Sequence, residues 1–367
     1  MDKNKAMAKG DLTQGPIAKK LLMFALPIIA GNLVMQLYNV VDSIVVGNFV
    51  GSDALAAVGV SFPIMMLFNA LFMGASMGAN IVISQYKGAG DMEKLERTLN
   101  TAMTISFILG VFITIFGVLL SRPLLELLGT PDNIIEDSTV YLMIIFGGTL
   151  GNMTFNIGNG IVRGMGDSKW PLYSLIISSL TNVVLDLLFV IQFNMGVAGV
   201  AWATLIAHIV AGGIMVWRQV AGKYGVRVTL HGMMKIDGSI TKMIAKLGLP
   251  SAVQNVAMSL GNVIIQSLAN NFGSDYIAAN TIVMKADGFA MMPMMGLGMA
   301  ITTFVGQNIG AGDKDRARKG VHAANFMCLI IGGVMGVLLW FFGIFIMRAF
   351  TDVEVVLHMG ENGIKFL

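Results

Sequence analysis

Two acidic residues of this chain lie inside long apolar runs. Asp42 sits in Leu37-Tyr38-Asn39-Val40-Val41-Asp42-Ser43-Ile44-Val45-Val46-Gly47, and Asp186 ends Asn182-Val183-Val184-Leu185-Asp186 ahead of Leu187-Leu188-Phe189. A carboxylate at the centre of a membrane helix costs roughly 2.5–3.5 kcal/mol on insertion scales, so each is a functional candidate by default. Asn182 is one helical turn before Asp186 and shares its face, and Thr204 falls in the next apolar run. These groups offer carboxylate, amide and hydroxyl oxygens, which suit a proton or a hard cation such as Na⁺. Two carboxyls sharing a dry pocket cannot both ionise cheaply, so such a pair can hold a proton near neutral pH. The alternative is that each Asp hydrogen-bonds a neighbouring helix and only locks a bundle.

Other chemistry finds little support. Gly164-Met165-Gly166-Asp167 matches the Gly-x-Gly-Asp pattern of intramembrane aspartyl proteases, but Asp167 lies between Arg163 and Lys169 in a basic loop, away from both intramembrane carboxyls. The sequence has no phosphate loop, no His-rich metal cluster and no Ser nucleophile elbow. No catalytic residue, no structural metal and no organic cofactor are expected. Cys328 is the single cysteine, which excludes an internal disulfide and a Cys-based zinc site. His208 stands alone in its apolar run and reads as a packing residue before a proton relay.

The elements that must position these groups are membrane helices. Mean hydropathy is +0.75, with 55% hydrophobic and only 12% charged residues, against about 25% charged in soluble domains. Apolar stretches long enough to cross about 30 Å of hydrocarbon fall near residues 17–48, 54–84, 96–120, 138–163, 170–194, 197–220, 239–270, 277–306 and 317–347, and a tenth begins near Asp352. Lys and Arg sort by loop: 20 of 24 lie in the N-terminal segment or after spans 2, 4, 6 and 8, and only Arg122 and Arg348 lie in the opposite loops. The positive-inside rule then puts the N-terminus in the cytoplasm. Asp42, six residues before the outer end of span 1, and Asp186, eight before that of span 5, reach similar depth, as does Thr204, seven residues into span 6. Asn159, on span 4, lies nearer the cytoplasm by straight-helix counting and joins them if that helix bends.

The chain also repeats itself. Gln85-Tyr86-Lys87-Gly88-Ala89-Gly90-Asp91 returns 222 positions later as Gln307-Asn308-Ile309-Gly310-Ala311-Gly312-Asp313, and Gly51-Ser52-Asp53 returns as Gly273-Ser274-Asp275. Asp91 and Asp313 read as helix N-caps. Six spans precede the second copy, so the halves are parallel repeats related by an axis along the membrane normal. The expected division is residues 1–217 as a first lobe, 218–238 as a cytoplasmic linker and 239–367 as an incomplete second lobe. A full second copy needs about 222 residues, so the chain reads as lacking most of span 10 and all of spans 11 and 12. Pro27, Pro63, Pro250 and Pro293 interrupt spans. Gly74-x-x-x-Gly78, Gly306-x-x-x-Gly310 and Gly332-x-x-x-Gly336 are assigned to close helix approach within the chain.

The span 1 motif around Asp42 and Arg163-Gly164-Met165-Gly166-Asp167 carry a family resemblance, as do Asn182-Val183-Val184-Leu185-Asp186, Gly196-Val197-Ala198-Gly199-Val200-Ala201-Trp202-Ala203-Thr204 and the duplicated Gly-Ala-Gly-Asp. Together they resemble the multidrug and toxic compound extrusion (MATE) transporters, in particular the prokaryotic DinF-like branch, over essentially the whole chain. The resemblance implies an all-α antiporter with two six-helix lobes around a V-shaped cleft, of which about nine and a half of twelve spans are present here. It implies export of organic, often cationic and aromatic, compounds in exchange for H⁺ or Na⁺ by alternating access. The family's first-lobe cation site corresponds to Asp42, Asn182, Asp186 and Thr204, with Asn159 at a further polar position. The acidic residue that some branches carry in span 7 is absent, and Gln254 and Asn255 stand in that region.

The substrate cavity is assigned to Met35, Gln36, Tyr38, Lys285 and Met292. Its Met residues, with Met291, Met294, Met295 and Met299 nearby, suit a pocket that repacks around unlike ligands or simply fill a core. The expected partners are small organic substrates and the lipid bilayer, with no nucleic acid, for a monomer in the inner membrane of a prokaryote. The nearest alternative is a lipid-linked saccharide flippase of related fold, whose cavity would show several Arg or Lys; only Lys285 lies well inside a complete span. A non-transporting membrane scaffold is a second alternative.

Overall fold

The structure, a computed structural model, describes residues 10–45, 49–50, 52–269, 272, 274–348 and 354–365. Residues 1–9 of the N-terminal segment, and Val46, Gly47, Gly51, Gly273 and Asp352, used above, lie outside these residues. The described residues form helices and no strand: α1 (Ile17–Val45), α2 (Ser52–Ala89), α3 (Met92–Leu127), α4 (Ile135–Gly147), α5 (Thr149–Gly164), α6 (Lys169–Asp186), α7 (Gly196–Val220), α8 (Leu230–Met233), α9 (Gly238–Ala269), α10 (Ser274–Gly310), α11 (Lys314–Arg348) and α12 (Glu354–Lys365). Helix is the expected solution for apolar segments in lipid, because every backbone donor and acceptor is then satisfied within the segment. Large side chains such as Leu119, Leu260 and Leu329 are exposed along these helices (68%, 58% and 74%), as lipid-facing residues must be.

The duplicated Gly-Ala-Gly-Asp has a local reason. Gly90 and Gly312 adopt φ of 70° and 81°, conformations that glycine takes without steric cost, and each ends a long helix. Asp91 then accepts the Lys94 amide and Asp313 the Arg316 amide, capping α3 and α11. The hydrogen bond from the Lys94 amide holds the Asp91 carboxyl below the usual carboxylate range. Pro27, Pro63, Pro250 and Pro293 all lie within continuous helices.

Among the described residues seven helices are long and apolar enough to cross a membrane, or eight if the α4–α5 pair, bent by 48°, is one broken span. The remaining expected span is α9. α9 has the length, at 32 residues, but Lys242, Lys246, Gln254 and Asn255 dilute its apolarity. The bend in span 4 falls at Gly148, where a Cβ would press within 2.9 Å of Leu205 on α7.

The repeat in sequence is a repeat in contact. Gly88 on α2 backs onto the Gln307 carbonyl of α10, and Gly310 backs onto the Gln85 carbonyl of α2, so equivalent residues exchange places across a pseudo-twofold axis. Asn80 and Thr303 face each other near that axis and exchange hydrogen bonds of 3.1 and 3.3 Å. The first helix of each half also reaches across. α1 places Leu21, Phe24, Ala25 and Ile28 against Leu297, Ala300 and Phe304 of α10. α9 lays Gly248 and Ala252 against Gly78 and Gly74 of α2. Gly74, Gly78, Gly306 and Gly310 thus serve close helix approach. Gly336 does not: among the described residues nothing lies within 4 Å of a Cβ placed there, while at Gly332 the nearest atom is Met294 Sδ at 3.6 Å.

These crossings lie toward the end of the molecule that carries residue 10 and most Lys and Arg, called here the basic face. Away from it the cores are separate. One gathers Val45, Tyr141, Ile145, Val190 and Val200 in the first half, and another Ala279, Ile282, Leu339 and Leu357 in the second. The halves therefore meet at the basic face and part beyond it, the V of the expected architecture. Residues 10–16 run across the closed end. Leu12 N–H donates to Gln307 Oε1 at 3.0 Å, and Gln307 Nε2 donates to the carbonyl of Gly164 at 3.1 Å. Asn308 Nδ2 reaches the Leu12 carbonyl at 3.3 Å and Arg316 the Gly15 carbonyl at 2.8 Å.

Asp167, the aspartate of the protease-like motif, is fully engaged. Its Oδ1 accepts the amides of Lys169 and Trp170 at the start of α6, and its Oδ2 accepts from Arg218 at 3.3 Å and from the Tyr224 hydroxyl at 3.0 Å. Arg218 also lies over the Trp170 ring, 4.5 Å from its centroid. Burial, aided by the Asp167 charge, raises the Tyr224 phenol above its ordinary value.

Candidate functional site

The polar groups of the first half converge in the part of the molecule remote from the basic face. α1 supplies Tyr38 and Asp42, four residues apart on one helix face. α6 supplies Asn182 and Asp186 by the same spacing, and α7, packed against α6, supplies Thr204. Asn182 and Asp186 are each 1% exposed. Asn182 Nδ2 donates to Thr204 Oγ1 at 3.3 Å. The Tyr38 hydroxyl lies within hydrogen-bonding reach of the same Thr204 hydroxyl, and the carboxyls of Asp42 and Asp186 lie within reach of each other.

Without a proton or a cation between them, two carboxyls have no donor to offer each other. Asp42 Oδ1, Asn182 Oδ1 and both oxygens of Asp186 are accordingly buried with no hydrogen-bond partner in the protein. Buried polar atoms are almost always paired, and here four acceptor oxygens share one pocket with no donor from the protein. Among the described residues no group of three or more His, Cys, Asp or Glu side chains could hold a metal ion. The donor set here is instead two carboxyls, an amide oxygen and hydroxyls, all hard oxygen ligands.

Two features of the pocket escape the sequence. The chain after Asp186 leaves the α-helix for a π-helical turn, Leu187–Gln192, so the aspartate ends the regular α6 ladder. π-helical turns recur at functional sites because they re-aim side chains locally. Tyr141 on α4, 4% exposed, packs in one core with Val45 and Val190, which follow Asp42 and Asp186 by about one helical turn. Its only signal in the sequence was a hydroxyl inside an apolar run. Asn159 is on α5 with its Oδ1 buried and unpartnered. Its neighbours Asn156 and Gly160 offer their carbonyls to Ser76 and Asn80 of α2, which places this stretch of α5 at the α2 contact.

The residues assigned to a substrate cavity are spread more widely. Met35 is exposed and Gln36 and Tyr38 half-buried on α1, while Lys285 is exposed on α10. Met292 on α10 is buried, at 8% exposure.

Comparison with known proteins agrees with this architecture. The MatE family model matches residues 27–188 and 250–367. The probable multidrug resistance protein YpnP of Bacillus subtilis strain 168 is 31% identical over 357 residues, covering 97% of this chain and 80% of that protein. YoeA of the same strain, likewise named a probable multidrug resistance protein, is 29% identical over 350 residues, covering 94% and 76%. Among solved structures, a multidrug resistance MATE family transporter in an outward-facing conformation superposes with a TM-score of 0.90 at 27% identity, covering 98% of this chain and 80% of that one. A match across both halves of the chain, including the stretches that carry Asp42, Asn182 and Asp186, shows that this protein belongs to the MatE family of membrane transporters.

Proposed function

We propose that the chain is a secondary active antiporter that exports organic compounds across the inner membrane of a prokaryote in exchange for H⁺ or Na⁺. The observation that carries this reading is the meeting of Asp42 and Asp186, whose pocket holds four buried oxygens without a donor. A proton or a Na⁺ ion supplies what they lack. The cargo class comes from the relatives, two of which are named probable multidrug resistance proteins.

In this reading the basic face is cytoplasmic by the positive-inside rule, and the crossing of α2 with α10 closes that side. Compounds enter between the lobes from the cytoplasm when the crossing opens, and leave outward when it closes. Tyr38 connects the two tasks, since its helix carries the exposed Met35 while its hydroxyl reaches Thr204 in the pocket. Cation entry at Asp42 and Asp186 joins α1 to α6 and weakens cargo binding along α1. One charge crossing the membrane is worth about 2.3 kcal/mol per 100 mV, comparable with a typical coupling energy of about 1–3 kcal/mol.

The test is dye efflux from proteoliposomes under an imposed H⁺ or Na⁺ gradient, for the wild-type chain and for Asp42→Asn and Asp186→Asn. Gradient-driven efflux lost in both variants supports the assignment. Efflux that survives in both with its gradient dependence intact removes it.

A further inference from the structure

The segment joining the two halves is held tightly and presents an apolar tip. Tyr224, Val226 and Val228 alternate inward at 6%, 3% and 6% exposure, while Lys223 and Arg227 point out. The Thr229 amide donates to Asn100 Oδ1 at 3.0 Å, Thr104 Oγ1 donates to the Met233 carbonyl at 2.8 Å, and the Asp237 amide donates to Thr101 Oγ1 at 3.3 Å. Gly232 backs onto the Asn100 side chain, where a Cβ would come within 2.6 Å. The single turn α8 is therefore pinned to α3 between Asn100 and Thr104.

That level on α3 is where hydrocarbon begins. About 30 Å of hydrocarbon takes roughly 20 residues of helix at about 1.5 Å each. Counting back from Arg122, which pairs with Glu126 near the far end of α3, this reaches the neighbourhood of Ala102. The residues before it include Glu93, Lys94, Glu96, Arg97 and Asn100.

Leu230 and Met234 are each 83% exposed at this level. Four residues apart across one helical turn, they point to the same side. In the same stretch of chain Ile236 is also exposed, and Arg227, His231, Lys235, Lys242 and Lys246 add exposed basic side chains on the linker and the first turns of α9. Within the linker the one acid, Asp237, is occupied in capping α9, its Oδ1 accepting the amides of Ser239 and Ile240, and on α3 Glu93 is paired with Arg97. An apolar pair in a basic stretch of chain at the edge of the hydrocarbon matches the chemistry of an anionic bilayer surface.

We propose that this linker is a membrane-surface anchor: Leu230 and Met234 enter the bilayer among the upper acyl segments, and Arg227 and Lys235 bind the headgroups of anionic phospholipids. The anchor follows from depth, exposure and charge, and does not depend on which ion or compound the protein carries. It fixes the height of the connection between the halves while they tilt.

A nitroxide at a single cysteine tests this in the full chain, reconstituted into phosphatidylcholine vesicles with and without phosphatidylglycerol. The variants are Leu230→Cys and Met234→Cys, each with Cys328→Ala, and Lys223→Cys with Cys328→Ala as the exposed reference. The expected result is an oxygen-to-nickel-chelate accessibility ratio severalfold higher at 230 and 234 than at 223. The ratio should rise further with phosphatidylglycerol, and Arg227→Glu with Lys235→Glu should abolish that rise. Labels at 230 and 234 as open to the nickel chelate as the one at 223 in both lipids would overturn the proposal. So would labels shielded from both reagents, because a protein surface would then cover the tip.

Discussion

Asp186 is the last residue of the regular α6 helix, and its carboxyl meets that of Asp42, carried by the neighbouring α1. The pairing joins two helices with different duties. α6 packs within its own half against α7, whereas α1 also reaches across to α10 of the other half. A change of charge at this contact therefore acts on a helix that belongs to the closure between the lobes.

Thr204 is the hydroxyl on which the pocket is organised, since it accepts from Asn182 and faces Tyr38. Thr204→Val keeps the shape and leaves the buried Asn182 amide unpaired, which costs about 1–3 kcal/mol. The expected outcome is a lower midpoint of thermal unfolding in detergent, together with a higher cation concentration for half-maximal efflux.

The reciprocal glycines make a symmetric prediction. Gly88→Ala and Gly310→Ala each drive a methyl into the carbonyl of the other repeat's glutamine, an overpacking that costs about 1–3 kcal/mol. Both variants should lose stability by similar amounts and leave the basic face more open to thiol reagents. Gly336→Ala meets open space and should be neutral or gain up to about 1 kcal/mol from helix propensity. Thermal unfolding of the three purified variants decides the comparison.

How these features read in the sequence differs with their physical origin. The repeat was legible because the turn after α2 and its copy after α10 need glycine at positive φ and an aspartate cap, demands that fix residue type. Asp42, Asn182, Asp186 and Thr204 were legible because polar side chains are rare in apolar runs, and counting along a helix gives depth. The π-helical turn after Asp186 was not, since Leu187-Leu188-Phe189-Val190 satisfies an α-helix equally well. The bend at Gly148 and the engagement of Asp167 by Arg218 and Tyr224 also depend on tertiary packing that no local pattern encodes. α9 is less apolar than its neighbours because Lys242, Lys246, Gln254 and Asn255 lie within it.

Gln307 ties three parts together: residues 10–12, the Gly164 carbonyl at the end of α5, and its own helix α10. Gln307→Ala leaves the Leu12 amide without its acceptor. A shift of about 1–2 kcal/mol changes a two-state ratio by roughly 5- to 30-fold. A cysteine at Leu12 should accordingly be modified faster by a membrane-impermeant thiol reagent in the Gln307→Ala background, with Cys328 replaced in both.

Asp167 holds the start of α6 to Arg218 and Tyr224 through four hydrogen bonds. Asp167→Ala should cost roughly 2–4 kcal/mol, combining a lost cap with a lost charged partner. Asp167→Asn, which keeps an acceptor, should cost less. Detergent unfolding curves for the two variants give the order, and a purified wild-type chain should cleave no peptide.

The central claim is that cargo and cation oppose each other through Asp42 and Asp186. The direct measurement is the dissociation constant of a fluorescent cargo for the purified protein, titrated with Na⁺ at fixed pH and with acid at fixed Na⁺. We predict that one of the two cations weakens cargo binding in the wild-type chain by a factor within the usual coupling range of about 5- to 150-fold, and that Asp42→Asn and Asp186→Asn bind cargo with no such dependence. Wild-type affinity unmoved by either cation, or an undiminished dependence in both variants, would contradict the account.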